Sequence, residues 1–289
     1  MSTPLDFFKQ GQDALRDAGF DPGPIDGLPG ARTLAATLAW KSANAAHDEP
    51  PDLPVVAQPP SGVGFFGIYD FNRQSDPDWD AMWTAGVRAV IHKVSEGTAA
   101  WQTTYQERRV EAKRRGFLWG GYHFTHGGDV AAQVNTFLDA ARFSDDELIA
   151  LDWEEGGPRN MTMREAEDFC QHVFDQAGRY PVVYGGGLLR DQIQHANSAI
   201  LSKCPLWYVQ VQAYDRPTNI PAQVWHGGAT LHQYWSQDLE NKVPGIGAKW
   251  APFGLPCNDI GCGGADRSRF FGTEGELRAA WPLTRKATA

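Results

Sequence analysis

Cysteine is scarce in this chain, with four residues at positions 170, 204, 257 and 262 among 289. That is too few for a disulfide scaffold, and the spacing lacks the two close pairs of a structural zinc site. Cys170 and Cys204 read as small buried thiols, whereas Cys257 and Cys262 flank Asn-Asp-Ile-Gly in a glycine-rich loop where an oxidised clip is open. Long apolar runs are missing too. None approaches the roughly 20 residues of a membrane span, so no membrane insertion is expected. The start, MSTPLDFFKQGQDALR, has neither a basic leader nor an apolar signal core, so synthesis in the cytoplasm is expected. Positive charge is short: 26 basic against 35 acidic side chains give a net charge of -9. Only the run Lys113, Arg114, Arg115 could face a phosphate backbone, and no nucleic-acid partner is expected. A Walker loop, a Gly-x-Gly-x-x-Gly after a strand and a Gly-x-Ser-x-Gly elbow are all absent, which argues against nucleotide cofactors and serine hydrolysis. No His pair stands at i, i+4. A site built from His123, Asp152 and Glu154 is the one metal arrangement left to consider, and neither metal nor cofactor is expected.

What is present is a globular composition, 42% apolar and 12% aromatic, which supports a sizeable core. AHDEPPDLPVVAQPPSG holds five prolines and reads as a stiff linker. The expected division is a small helical domain over 1–47, a proline-rich linker over 48–62 and an α/β barrel over 63–289. In the first part DFFKQGQDALRDAG places Phe7, Leu15 and Ala18 on one helix face with Gly19 as its C-cap. A rigid turn, DPGPIDGLPG, follows, and a second helix through Leu34, Leu38 and Trp40. In the second part, apolar runs at 65–71, 87–94, 117–124, 148–153, 180–184, 206–211 and 229–235 alternate with amphipathic segments at 103–116, 129–142 and 161–178. That alternation argues for a parallel sheet with covering helices, with function at the C-terminal strand ends.

Polar residues at those ends carry the chemistry. LIALDWEEGG closes a buried-looking strand with Asp152 and Glu154, which an extended chain points the same way. Two carboxyls so close raise each other's pKa, and Trp153 lowers the local polarity, so one could stay protonated near neutral pH and act as a general acid. Asp70 ends FFGIYDFN, and Asp266 in GGADRSRFFG is read as lying beyond the last strand. Lys93 and Glu96 end the second run, and Tyr122, His123 and His126 the third. Carboxylates converging from several strands suit glycosidic cleavage, which needs a proton donor and negative charge facing an oxocarbenium-like sugar.

Two resemblances follow. Residues 11–42, with Gly-x-x-x-Gly-Pro-Ile-Asp-Gly-x-x-Gly-x-x-Thr, resemble the helical peptidoglycan-binding domain of wall hydrolases, with Pro29 where an aromatic or aliphatic residue is usual. The ordered set IYDFN, KVSEGT, GGYHF, LDWEE, YPVVYGG, PLWYVQ, LHQYW and ADRSRFFG is similar to glycoside hydrolase family 25, the lysozymes of bacteria, fungi and phages. That resemblance covers residues 63–275 and implies an irregular barrel with fewer helices than strands. It implies Glu154 as acid/base, with Asp152, Asp70 and Asp266 completing the acidic cluster. It also implies a sugar groove lined by Tyr122, Glu96, Tyr184, Trp207, Gln233 and Tyr234. The implied reaction is hydrolysis of the N-acetylmuramic acid to N-acetylglucosamine bond of bacterial peptidoglycan, with retention of configuration. Departures are Asp70-Phe71-Asn72, where the family usually has Asp-x-Ser, His232-Gln233-Tyr234, where Trp-Gln-Tyr is usual, and a longer loop at 240–264. The expectation is a monomeric modular wall lysozyme of the phage or prophage endolysin kind. The rivals are an injected antibacterial effector with the same activity, a catalytically inactive wall-binding barrel, and a chitinase, whose Asp-x-x-Asp-x-Asp-x-Glu pattern is absent.

Overall fold

The computed structural model describes residues 4–26, 32–33, 36, 39, 64–211, 216–236 and 265–284. The chain divides into two compact units, Met1–Leu53 and Pro54–Ala289. The expected linker at 48–62, the loop at 240–264 and Cys257 and Cys262 lie outside the described residues, as does most of the expected second helix. Among the described residues no helix is long and apolar enough to cross a membrane.

In the first unit α1 spans Pro4–Asp17. It ends in a Schellman motif: Phe20 N–H donates to Leu15 O and Gly19 N–H to Arg16 O, both at 2.9 Å. Gly19 takes φ +86°, a left-handed conformation that a Cβ would strain. Ala18 is exposed, and Gln12 is buried among the described residues of this helix. The Gln12 amide donates to Asp26 at 3.3 Å and to Thr33 at 3.2 Å, so the turn is stitched to the helix through a polar side chain.

The second unit is a nine-stranded sheet in which eight strands close a barrel. Around it run β1 (Phe65–Phe71), β2 (Ala89–Glu96), β4 (Leu118–Phe124), β5 (Leu148–Asp152), β6 (Val182–Gly185), β7 (Leu206–Val209), β8 (Leu231–Trp235) and β9 (Asp266–Phe270), with β1 returning to β2. The short β3 (Ala99–Ala100) hairpins off β2. From β1 through β8 the barrel pairs are parallel, and β9 is antiparallel to both its neighbours. This corrects the placing of Asp266 beyond the last strand: it is the first residue of β9. The reason is chemical. Asp266-Arg267-Ser268-Arg269-Phe270 is too charged to read as a strand, yet both arginines are buried against rings. Arg267 lies over Trp235 at 4.3 Å and Arg269 over Phe271 at 5.0 Å.

Strand alternation separates two apolar cores. Ile68, Ile91, Leu148, Ala150, Val182, Trp207 and Leu231 fill the barrel. Val90, Trp119, Leu151 and Val183 face outward, where Phe137 and Phe169 of the helices cover them. Among the described residues the helices are α2 (Trp79–Thr84), α3 (Gln102–Arg114), α4 (Val130–Ala141), α5 (Met163–Ala177), α6 (Gly187–Ile193) and α7 (Glu274–Ala280). The expected α/β barrel is present, and among the described residues its helical cover thins after β6. Cys170 and Cys204 are buried free thiols.

Candidate active site

The parity that points Ile68, Ala150 and Val182 into the barrel also points Asp70, Asp152 and Tyr184, two residues further on, toward its C-terminal mouth. Asp152 is register partner to Tyr184 on β6 and to Phe124 on β4. Because β9 runs the other way, its first residue reaches the same rim, and Asp266 stands opposite Asp70. Gln233 of β8 donates its amide to Asp266 Oδ2 at 3.0 Å.

Burial, then the charges of Asp266 and Glu154, hold the Asp70 carboxyl well above the usual range. Burial and then Glu154 do the same to Asp152, while the Lys93 ammonium pulls the other way. The Tyr122 and Tyr184 hydroxyls are raised by burial first, then by the same four acids, Tyr122 chiefly by Asp152 and Tyr184 chiefly by Glu154. Four carboxyls and two phenols thus form one electrostatic unit. Among the described residues, the buried Asp70 Oδ2 and Asp152 Oδ1 have no hydrogen-bond partner. A buried carboxyl oxygen left unpartnered at an open mouth is a mark of function rather than of packing.

The Glu154 loop is fixed on both sides. Thr125 Oγ1 donates to Asp152 O at 2.9 Å, and Trp153, wholly buried, donates Nε1–H to Met161 O at 2.9 Å. Beyond Glu154, a Cβ at Gly156 would meet the Phe124 ring and one at Gly157 the His126 ring. The loop after β5 therefore lies directly on the loop after β4. Gly157 also has φ +68°, so glycine is required there twice over.

The structure brings Asp70, Asp152, Glu154, Asp266, Tyr122, Tyr184 and Gln233 together. Trp207 is 2% exposed and donates Nε1–H to Ser268 Oγ at 2.8 Å, with its ring edge-on to Tyr184 at 4.7 Å. It is a strut beneath Tyr184 and not a groove wall. Tyr234 packs edge-on against Phe66, which lies under Arg269 on the barrel's outer layer. Glu96 pairs with Lys93 at 2.6 Å and with His126 at 3.3 Å. Burial pushes its carboxyl up, but Lys93 and His126 together hold it below the usual range. His123 points into the outer layer, bonded to Ser95 at 2.8 Å and Gln133 at 3.1 Å and stacked on Phe169. Burial lowers its pKa to about 4. Its nitrogens are occupied away from Asp152 and Glu154, and among the described residues no group of acids, His and Cys forms a metal cluster. Lys93 is the functional neighbour that the sequence marked only as a strand-end residue. The available signal was its place three residues before Glu96 on an inward-facing parity.

Known proteins resemble this chain in sequence and in fold. Residues 68–243 match the family described as Glycosyl hydrolases family 25. An N,O-diacetylmuramidase of Arthroderma benhamiae is 29% identical over 124 residues, 38% of this chain and 53% of the relative. The chain thus spans about half the length of that curated relative. Among solved structures, a muramidase from Acremonium alcalophilum superposes with TM-score 0.56 at 25% identity, covering 73% of this chain and 96% of that one. The bacterial lysozyme from Streptomyces coelicolor gives TM-score 0.57 at 21% identity over 75% of this chain and 96% of that one. With more than half of its length matched, the chain belongs to glycosyl hydrolases family 25.

Proposed function

We propose that the chain is a muramidase that hydrolyses the β-1,4 bond between N-acetylmuramic acid and N-acetylglucosamine in bacterial peptidoglycan. The coupled acid cluster carries this reading. Burial and mutual repulsion raise the Asp70 and Asp152 carboxyls above their ordinary range, so the cluster disfavours full ionisation and one proton shared among its acids is favoured. In this reading Glu154, half-buried and two residues beyond Asp152, carries the shared proton and donates it to the leaving sugar oxygen, while the three aspartates stay ionised. It then takes one back from the water that completes hydrolysis. Asp152, Asp70 and Asp266 supply negative charge to the developing oxocarbenium ion, and Tyr122 and Tyr184 bound the groove. An inactive wall-binding barrel would have no use for Glu154 and Asp152, and both are present. The test is mass spectrometry of fragments released from purified sacculi. A reducing muramic acid end supports the reading, and any other new end contradicts it.

The finer reading is modular: a peptidoglycan-binding segment before the proline-rich stretch, tethered to the catalytic barrel, as in a phage or prophage endolysin. The Gly-Pro-Ile-Asp-Gly motif at 23–27 supports it, because a tether raises the barrel's local concentration at an insoluble wall. Deleting residues 1–60 is then expected to spare turnover of soluble muropeptides and weaken binding to sacculi; equal loss on both contradicts it.

A further inference from the structure

The loop after β1 holds an exposed cation. Arg73 follows Asp70 by three residues, and its backbone is pinned by Arg108 of α3. The Arg108 guanidinium donates to Asn72 O at 2.9 Å, to Arg73 O at 3.2 Å and to Ser75 O. Asn72 Oδ1 also accepts from Gln74 N–H at 2.8 Å. The Arg73 guanidinium lies over Trp101, 4.9 Å from the ring centroid. Lys93 Nζ lies over the same indole at 5.6 Å and over Phe124 at 4.6 Å. A row of alternating cations and rings, Arg73, Trp101, Lys93, Phe124, thus follows the rim from the β1 loop to the glycine two residues past Glu154.

The two cations differ in what they have left to offer. Lys93 is neutralised by Glu96. Arg73 is exposed, and among the described residues it forms no ion pair. A guanidinium stacked on an indole has its plane fixed while its edge N–H groups stay open, the arrangement that receives a carboxylate through two parallel bonds. A mouth carrying four acids repels an anionic substrate, and one open cation at its edge offsets that repulsion where the anion sits.

We propose that Arg73, held over Trp101, is a substrate subsite for a carboxylate of the muramyl unit. This rests on the muramidase reading above. Two sources supply that chemistry, the lactyl carboxylate of the sugar and the carboxylates of the stem peptide, and binding distinguishes them. Calorimetry on full-length protein carrying Glu154→Gln, which prevents turnover, compares three tetrasaccharides: one with stems, one stripped to free lactyl carboxylates, and one stripped with the lactyl groups amidated. Adding Arg73→Gln is expected to weaken binding of a carboxylate-bearing fragment about five- to tenfold. The neutral fragment is expected to shift less than about twofold, and Arg73→Lys to recover part of the loss. Weakening confined to the stem-bearing fragment assigns the stem; weakening that extends to the stripped one assigns the lactyl group. Trp101→Leu, which frees the guanidinium, is expected to move affinity in the same direction as Arg73→Gln. Unchanged affinity for both charged fragments, or equal weakening of the neutral one, overturns the subsite alone. Failure of the parent protein to bind any of the three overturns the muramidase reading and the subsite with it.

Discussion

Asp70 and Asp266 are register partners across the antiparallel pair β1–β9, so two carboxyls separated by nearly the whole barrel in sequence stand side by side at its mouth. The Asp266 charge is the largest influence on Asp70 after burial itself. Gln233 fixes the other end of the pair through its bond to Asp266.

Neutralising either acid removes charge facing the sugar without removing volume. Asp70→Asn and Asp266→Asn are each expected to lower turnover about a hundredfold, some 2–3 kcal/mol of transition-state stabilisation. Gln233→Leu leaves Asp266 charged but unheld, and a loss of about tenfold is expected. Steady-state kinetics on soluble muropeptides measure all three; wild-type rates in any variant remove that residue from the site.

Neutralising Asp70 or Asp152 should act on stability with the opposite sign to its effect on turnover. Asp70 and Asp152 have carboxyl pKa values raised on folding, so each favours the folded state at low pH and disfavours it once pH rises through the folded value. Near neutral pH, Asp152→Asn removes that penalty. The thermal midpoint at pH 7 is expected to rise, by about 2–4 °C for each kcal/mol relieved, while activity falls. A midpoint that drops would mean that the ionised Asp152 is a structural group.

Much of this was legible in the sequence, because the first seven strands of the barrel circuit are apolar runs with polar ends and their order places Asp70, Tyr122, Asp152 and Tyr184 on one rim. What was hidden had physical causes. In β9, Arg267 and Arg269 are buried by stacking on aromatic rings, which hydropathy scores as exposed charge. Trp207 and Tyr234 are aromatic residues at strand ends, but the indole N–H of one is used inside the barrel and the ring of the other lies outside it, a choice made by the local partners Ser268 and Phe66. Lys93 becomes visible only once Asp152 is seen to face it.

At the start of β5, the wholly buried Glu147 carboxylate pairs with Arg109 at 2.6 Å and Lys113 at 2.8 Å. Glu147→Ala removes the Arg109 ion-pair partner while Lys113 keeps Asp146 at 2.9 Å, and a loss of about 1–3 kcal/mol in unfolding free energy is expected by denaturant titration. A change below about 1 kcal/mol would place this network among ordinary surface pairs.

Glu165 caps α5 and braces the Glu154 loop through Arg159 and the Gly128 N–H. The Arg159 hydrogen bond, against the opposing effect of burial, helps lower its pKa to about 2. Its contribution is present above the unfolded value, about 4.3, and is lost as pH falls toward about 2. Glu165→Gln is therefore expected to flatten the stability curve between those limits; an unchanged acid limb would remove the brace.

The most direct test of the proposed chemistry is turnover of purified Glu154→Gln protein on sacculi. The substitution preserves size and hydrogen bonding and removes the transferable proton. Clearing at background rate is expected, with the folded circular dichroism spectrum and sacculus binding retained. Clearing at a substantial fraction of the wild-type rate would contradict it and place the general acid elsewhere in the cluster.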